Sequence, residues 1–577
     1  MLLASTLFES IRAELPTASA SWGPDLDSRS VAACLLVGNV VRKFEGDEPI
    51  SDAAYSAAIQ KFVDANLRSA KFTRMGHVNT SLDELLIGEF SKSIHDFFSE
   101  CGDAALISDN ALEHFGAGRP GPGASIGTRA TDMLHKMFDS SVSVTSRLLP
   151  YWEMCTTSEV TEPLSNAFFL ARELRGIQVV ESSKVSVVPK TVDVGRTIAT
   201  EPSANMWMQR GLSSQIEQSL KWYYGLDLSN QQDKNRILAQ KGSIDDSLVT
   251  LDLESASDSI SLELLSFFPE WFRGLVMTYR SPSVEIEGYA EPIKLGMVST
   301  MGNGFTFSLM TLIMTSVVHA VANLSGVRLT RWKAAHASRI CADELPLTPG
   351  NWGVFGDDII CPARICRRVV RLLNLLGFIV NDSKSYVEGP FRESCGGDYY
   401  RGVDVRSVYI RHLETRGDLF VAFNSLSRWS ALHGYDLSKT LRLILKQLKG
   451  SGRTVVPLHC NDDQGIKVPK RFLGSHQPLD QNGSILYKCW VPIPAVVLIH
   501  YDGLLRQRMV SPCRNVWGIS QCLVAGVIRG GNVRVRIKDR KSLTYRLTRT
   551  VTPSWDTVCH RTGRFTPCPE RLMDVLE

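Results

Sequence analysis

Gly353-Val354-Phe355-Gly356-Asp357-Asp358-Ile359-Ile360-Cys361 reads as two short apolar runs around a Gly-Asp-Asp turn, hence a β-hairpin. Its tip carries adjacent carboxylates, which are depleted from strands and costly to bury unpaired. Upstream, Leu248-Val249-Thr250-Leu251-Asp252-Leu253 reads as a buried strand that ends on another carboxylate. Strand-borne sites converging on buried carboxylates need a cation. Oxygen-only ligands suit Mg²⁺ or Mn²⁺ rather than zinc. A pair of such ions stabilises both the attacking and the leaving oxygen of an in-line phosphoryl displacement.

Working outward, Ser259 to Phe272 reads as a helix, Phe305 to Asn323 as a longer one, and Arg367 to Leu376 as another. Strand, helix, helix, hairpin and helix predict an α+β core with helices packed on one face of an antiparallel sheet. Residues 1 to about 115 show helix-like spacing, and the pattern from Tyr151 to Gly242 mixes short strands and helices. Gly116-Ala117-Gly118-Arg119-Pro120-Gly121-Pro122-Gly123 is the clearest loop, either a substrate-facing segment or a plain connector.

The 577 residues suffice for several packed lobes. With 44% hydrophobic and 21% charged residues, wholesale disorder is excluded. A net charge of +4 is too small to coat the surface with cations, so an enzyme of nucleic acid would concentrate them in channels. The 13 cysteines contain no Cys-x-x-Cys and read as free thiols of a reducing compartment, with a zinc site at Cys559, His560 and Cys568 as a weaker alternative. Glu9 interrupts the apolar start and there is no basic n-region, so no signal peptide is expected. The run Leu309 to Leu324 is shorter than a bilayer span of about 20 residues and reads as a buried helix, so no membrane is expected as a partner. Arg529 to Arg549 holds eight basic side chains and one acid, Asp539. Within it, Val533-Arg534-Val535-Arg536-Ile537-Lys538 alternates as a strand, either an edge strand kept soluble by charge or an RNA-backbone contact.

Gly-Asp-Asp alone arises by chance in a chain of this length with a frequency on the order of 0.1, and in a turn it can simply cap a hairpin. Order and context raise its weight. Asp252 is followed by Asp258, then by the turn Ser299-Thr300-Met301-Gly302-Asn303-Gly304-Phe305-Thr306, then by the hairpin, then by Lys384.

These blocks resemble the ordered motifs of the right-hand viral RNA polymerases, and most closely the replicase beta subunits of the RNA bacteriophages, the leviviruses. The resemblance is carried by Thr250-Leu251-Asp252-Leu253 with Ala256-Ser257-Asp258-Ser259-Ile260-Ser261, by Met301-Gly302-Asn303-Gly304-Phe305-Thr306-Phe307, and by Gly356-Asp357-Asp358-Ile359-Ile360. Glu388-Gly389-Pro390-Phe391-Arg392-Glu393-Ser394-Cys395-Gly396, with Tyr399-Tyr400 and Gly402-Val403-Asp404-Val405, adds most. Val188-Pro189-Lys190 and Arg196 through Glu201-Pro202 extend it, so that it covers roughly residues 185 to 411.

The resemblance implies fingers, palm and thumb: residues 1–245 as N-terminal region and fingers, 246–410 as palm with an insertion at about 323–351, and 411–577 as thumb and C-terminal region. It implies Mg²⁺, with Mn²⁺ as a substitute, on Asp252 and Asp357, with Asp358 a further ligand or close neighbour. Lys190 and Arg196 would grip the incoming triphosphate. Asp258 would meet the ribose, and also reads as a helix N-cap, two roles that are compatible. Gly302 and Gly304 would let the backbone approach template and nucleotide, with Asn303 and Thr306 as polar contacts there or as turn chemistry. Lys384 would protonate pyrophosphate, and Arg392 to Gly396, including Ser394, would form the turn near the RNA 3′ end. Cys395 is expected to be a buried thiol rather than a nucleophile.

The implied activity is copying single-stranded RNA from nucleoside triphosphates into an RNA product, in the cytoplasm of an infected bacterium. Host elongation factors Tu and Ts and a small-subunit ribosomal protein are the implied partners. The sequence departs from the pattern at Phe355, where the family usually has Tyr. It departs again at Met310, where many animal and plant plus-strand polymerases have Asn, and in the longer stretch Asn323 to Asn351 with Arg328, Arg331, Lys333 and Arg339. A reverse transcriptase-like enzyme usually carries Ala or Met where Gly356 stands. A non-catalytic RNA-binding scaffold would not need the complete set Asp252, Asp357 and Asp358.

Overall fold

The computed structural model describes residues 4–15, 23, 25–45, 50–73, 76–128, 130–191, 193–334, 347–448, 454–473, 478–494, 496–500, 510–534 and 543–556. Cys559, His560, Cys568, Arg339 and the stretch Val535 to Lys538 lie outside the described residues, so the zinc alternative, much of the 323–351 insertion and most of the alternating basic strand do too.

The Gly-Asp-Asp segment forms the expected hairpin. Gly353–Phe355 pairs antiparallel with Asp358–Pro362, which pairs on its other edge with Leu248–Leu251. Phe355 and Asp358 close the turn, leaving Gly356 and Asp357 at its tip. Gly356 has φ 65°, the left-handed value that a two-residue hairpin loop places on glycine. Its N–H donates to Thr311 Oγ1 at 3.0 Å, which ties the tip to the long helix below.

Alternation sends Val249, Leu251, Val354, Ile359 and Cys361 to one face, where the helices Thr306–Leu324 and Cys366–Leu375 complete the largest core. The long helix is almost entirely buried, which explains its apolar composition without a bilayer. Helices were expected on one face; the other is covered too. Leu248 and Ile360 pack there against Leu238 and Ala239 of the helix Gln231–Asp245 and against Tyr399. A strand buried on both faces reads as a continuous apolar run, which is how Leu248–Leu251 reads.

The helix expected over Ser259 to Phe272 is broken. A 3₁₀ segment Leu262–Phe267 is capped by Ser261, whose side chain accepts from the Leu264 N–H, and an α-helix then runs Glu270–Tyr279. Pro269 forces the preceding Phe268 into extended backbone, with φ −95° and ψ 156°, and so separates the two.

A second sheet runs in the order Val194–Thr200, Ser182–Thr191, Ser283–Glu285, Ile293–Lys294. The helix Asp52–Lys71 packs against its first strand and against the turn Ala256–Ser259, bringing this sheet beside the hairpin. The Gly116–Gly123 loop is a pinned connector: buried Lys136 donates from Nζ to the carbonyls of Gly121 and Gly123 at 2.9 and 2.8 Å.

The chain's ends do not respect the expected linear division. The helices Ala4–Glu14 and Ser28–Asn39 share a core with Arg416–His433 and Ser438–Gln447, not with the rest of residues 1–245. The helix Val516–Val524 returns to pack on Leu164–Arg175, held by Asn515 Nδ2 donating to the carbonyls of Phe138 and Ala167 at 3.1 and 2.8 Å. All ten described cysteines are free thiols, nine of them buried.

Candidate active site

Asp252 sits where its strand changes partners. Before it, Leu251 pairs with Ile359 of the hairpin; after it, Leu253 pairs with Val380. One further step of the first register sets Asp252 opposite Asp358. The segment Ile379 to Tyr386 follows the strand's other edge, with reciprocal backbone bonds between Thr250 and Tyr386 at 3.1 and 2.8 Å. This segment holds Asp252 in place. Asn381 Nδ2 donates to its Oδ2 at 2.9 Å, Lys384 Nζ stands 3.7 Å from the same oxygen, and the Asp252 N–H donates to Ser385 Oγ at 3.1 Å.

Asp357 lies at the hairpin tip. Burial, then repulsion from Asp358 and Asp252, pushes its carboxyl up to about 6. Asp358 is raised too, by burial first and Asp252 next among the raising causes. It points to the hairpin formed by Phe391–Ser394 and Gly397–Tyr400. Its Oδ1 accepts from Ser394 Oγ and from the Cys395 N–H, each at 3.2 Å. Cys395 and Gly396 have φ 49° and 73°, a two-residue turn with both central residues left-handed, which is costly for the non-glycine residue. The helix Gln231–Asp245 secures that turn: Arg236 Nε donates to the Cys395 carbonyl at 3.1 Å and Asn235 Nδ2 to Ser394 Oγ at 3.4 Å.

A cleft of about 580 Å³ opens above these carboxylates. Its lining unites Asp252 and Asp357 with Lys190, Arg196, Asp258, Gly302, Asn303, Thr306 and Lys384, and leaves out Asp358, Gly304, Arg392 and Ser394. Lys190 sits at an irregularity of the hairpin between Ser182–Thr191 and Val194–Thr200, where Val188 pairs with Arg196. Burial, then repulsion from Lys384 and Arg196, lowers its ammonium pKa. A concentration of cations facing carboxylates suits a polyanion bound through metal ions.

Lys61, on the helix Asp52–Lys71, also lines the cleft, as does Asn381. Neither was singled out from sequence. Lys61 reads locally as an ordinary surface residue, and Asn381 as one polar residue of a loop. The nearest available signal is the polar run Asn381-Asp382-Ser383-Lys384-Ser385 directly after the apolar Phe378-Ile379-Val380.

Several expectations need correction. Arg392 is fully buried and spends its guanidinium on the chain itself, donating to the carbonyls of Leu248, Gly389 and Phe391 and to Asp246 Oδ1 at 2.6–2.8 Å. At 0% exposure it presents no surface to an RNA end. Ser394 is buried too and orients Asp358. Gly302 and Gly304 serve close approaches within the protein: a Cβ on Gly302 would lie 2.0 Å from the Ala199 carbonyl oxygen, and one on Gly304 3.0 Å from Gln209 Cβ. Asn303 Oδ1 accepts from the N–H and Oγ1 of Thr300, and Thr306 Oγ1 donates to the Thr300 carbonyl at 3.0 Å, so both also knit their own turn. Asp258 caps no helix. It lies within the 3₁₀ turn Ala256–Ser259, where burial raises its carboxyl to about 6 while Ser257 Oγ donates to it at 3.3 Å. Phe355 packs edge-on to Phe307, with 4.6 Å between ring centroids.

Among the described residues no three His, Cys, Asp or Glu side chains form a ready metal-binding group. The donor chemistry nevertheless fits a hard cation. Asp252 and Asp357 offer only oxygens, face one cleft, and sit close enough for Asp252 to raise Asp357.

The family described as RNA replicase, beta-chain matches residues 1–464. The chain belongs to this family. It is 33% identical over 407 residues to the RNA-directed RNA polymerase beta chain of Enterobacteria phage fr, covering 68% of each chain. It is 35% identical over 332 residues to that of Escherichia phage MS2, covering 57% of this chain and 56% of the relative. Against the solved RNA-dependent RNA polymerase of a human picobirnavirus the TM-score is 0.32 at 14% identity, over 47% of this chain and 57% of that one. The levivirus resemblance of the catalytic motifs is thus a family membership that reaches well beyond residues 185 to 411, into the N-terminal helices.

Proposed function

We propose that this replicase beta-chain copies single-stranded RNA from nucleoside triphosphates by two-metal nucleotidyl transfer in the cleft between the Gly-Asp-Asp hairpin and the Ser182–Thr200 hairpin. The observation that carries this reading is the meeting of Asp252 and Asp357 with Lys61, Lys190 and Arg196 around one cleft of about 580 Å³. Asp252 and Asp357 would hold Mg²⁺ or Mn²⁺, which would neutralise charge on the attacking 3′-oxygen and the departing pyrophosphate. Lys190 and Arg196 bind and orient the triphosphate, Arg through paired N–H donors and Lys as a point charge. Asp258 accepts from a ribose hydroxyl. Lys384, beside Asp252, delivers a proton from Nζ to the pyrophosphate oxygen, a role worth roughly 10²–10⁴-fold. Asp358 stays on Ser394 and Cys395 and fixes the hairpin tip from behind.

The arrangement belongs to a right-hand polymerase. The palm spans about 246–410, the fingers lie in the N-terminal half, and the thumb is built from 411 onward together with the first two helices. The family's usual setting supplies the rest of the reading: the cytoplasm of an infected bacterium, unprimed starts, and host elongation factors Tu and Ts with a small-subunit ribosomal protein as accompanying chains. Incorporation of labelled ribonucleotides on a phage-type RNA with Mg²⁺, with and without host extract and against deoxyribonucleotides, tests it. Ribonucleotide-specific synthesis supports the polymerase reading, and dependence on extract supports the accompanying chains. Folded, RNA-bound protein that incorporates nothing in any mixture contradicts it.

A further inference from the structure

Next to the hairpin that holds Arg392 stands a group of cations not committed, among the described residues, to the chain's own carbonyls. The turn after the helix Ser28–Asn39 is laced to a segment far away in sequence: the Ile410 N–H donates to the Val40 carbonyl at 3.1 Å, and the Glu45 N–H to the Arg411 carbonyl at 2.8 Å. This lacing brings Lys43 and Arg406 to Tyr409 and sets Arg411 within reach of Lys43. Lys43 Nζ lies 4.1 Å from the centre of the Tyr409 ring and Arg406 Cζ 5.8 Å from it. Lys43 is close enough to Arg406 and Arg411 for both to lower its ammonium pKa, after burial. Among the described residues, none of these three cations lies within ion-pair distance of a carboxylate. Asp398, which is buried, and Glu393, which is half-buried, are the acids whose charge reaches Lys43.

The cluster's position follows from Arg406. Its guanidinium covers Gly396, where a Cβ would fall 2.7 Å from Nη1. Gly396 is the second residue of the turn whose first, Cys395, holds Asp358. Like-charged side chains held together with no carboxylate in ion-pair contact, beside an aromatic ring and one turn from the catalytic carboxylates, form a site for a polyanion. Lys61, Lys190 and Arg196 line the nucleotide cleft, and none of the present three does.

We propose that Lys43 and Arg406, held at Tyr409, together with the neighbouring Arg411 bind the phosphodiester backbone of the RNA product beside its 3′ end. The proposal rests on the polymerase reading for the identity of the RNA but is tested without turnover. The full chain is titrated with a 5′-labelled RNA hairpin bearing a paired 3′ end, by fluorescence anisotropy across a series of salt concentrations.

For the double variant Lys43→Gln, Arg411→Gln the slope of log affinity against log salt falls by about 2, and affinity at 0.1 M salt falls about 10-fold. KM for nucleoside triphosphates stays at the wild-type value, and Lys43→Arg restores the slope in part. Wild-type affinity and slope in the double variant overturn the proposal. If the double variant melts early, Arg411→Gln alone, at an exposed position, carries the same test with a slope change of about 1. Synthesis by the wild type with unchanged RNA binding in the variant removes this site and leaves the polymerase. Lost RNA binding, with no synthesis in any mixture, leaves the site and removes the polymerase.

Discussion

Asn381 is bonded to Asp252 through both its side-chain amide and its backbone N–H, each at 2.9 Å. The side-chain bond lands on Oδ2, the oxygen that Lys384 also faces. Asp252 is therefore not a free carboxylate at a strand end but one held at a fork between two strand pairings.

Asn381→Ala removes the side-chain bond and leaves the backbone bond. Groups that orient a metal ligand without touching the metal typically contribute 10–100-fold, so kcat for nucleotide incorporation falls by roughly that factor. KM for nucleoside triphosphates changes little, because Lys190 and Arg196 stay in place. Steady-state incorporation at several Mg²⁺ concentrations checks this, with a raised Mg²⁺ requirement as the signature of a loosened Asp252.

Arg392→Ala acts on stability. It leaves the carbonyls of Leu248, Gly389 and Phe391 without their buried donor and costs about 3 kcal/mol or more. Arg392→Lys does not rescue it, because one ammonium cannot reproduce the planar fork. Urea unfolding measures the loss. A variant that unfolds like wild type but binds RNA weakly would restore Arg392 to the RNA.

Gly356→Ala strains the hairpin tip. The added Cβ meets Phe307 Cε2 at 2.7 Å, on a backbone with φ 65°. The expected cost is about 1–3 kcal/mol, with a displaced Asp357 and a large fall in synthesis. Thermal melting read beside incorporation separates the two effects.

Asp83 makes stability fall in acid. Its buried carboxylate accepts from Arg371 Nε and Nη2 at 2.7 and 2.6 Å and from the N–H groups of Asn79 and Thr80, each at 3.0 Å. Arg371 first, then the backbone of Asn79, hold the Asp83 carboxyl well below the ordinary carboxylate range. A depressed folded-state pKa stabilises above the unfolded value of about 3.9 and loses that stabilisation as pH falls toward the folded value. The stability gap between wild type and Asp83→Asn is thus constant from about pH 8 to 5 and shrinks below about pH 4. Urea midpoints across that range check it.

The sequence was legible where chemistry is local. A continuous apolar run ending on Asp252 forms a strand because both its faces are covered, and Gly356 marks a hairpin because only glycine tolerates that φ at no steric cost. The run Phe305 to Asn323 reads directly as a buried helix. Legibility failed where distance in sequence decides. Arg392 reads as a charged motif residue until Leu248, from another strand, supplies an acceptor. Lys61 reads as one lysine on an amphipathic helix until that helix docks at the cleft. The packing of Ala4–Glu14 against Ser438–Gln447 leaves no local trace, since it joins segments more than 400 residues apart in sequence. Pro269 was visible, and its effect on Phe268 was the signal missed in reading Ser259 to Phe272 as one helix.

The central claim is that Asp357 at the hairpin tip carries metal-dependent nucleotidyl transfer. Incorporation of labelled ribonucleotides on a phage-type RNA with Mg²⁺, comparing wild type with Asp357→Asn, tests it most directly. The account predicts synthesis by wild type and a loss of roughly 10²-fold or more in the variant, with RNA binding and melting temperature preserved. Equal synthesis by both proteins would contradict it.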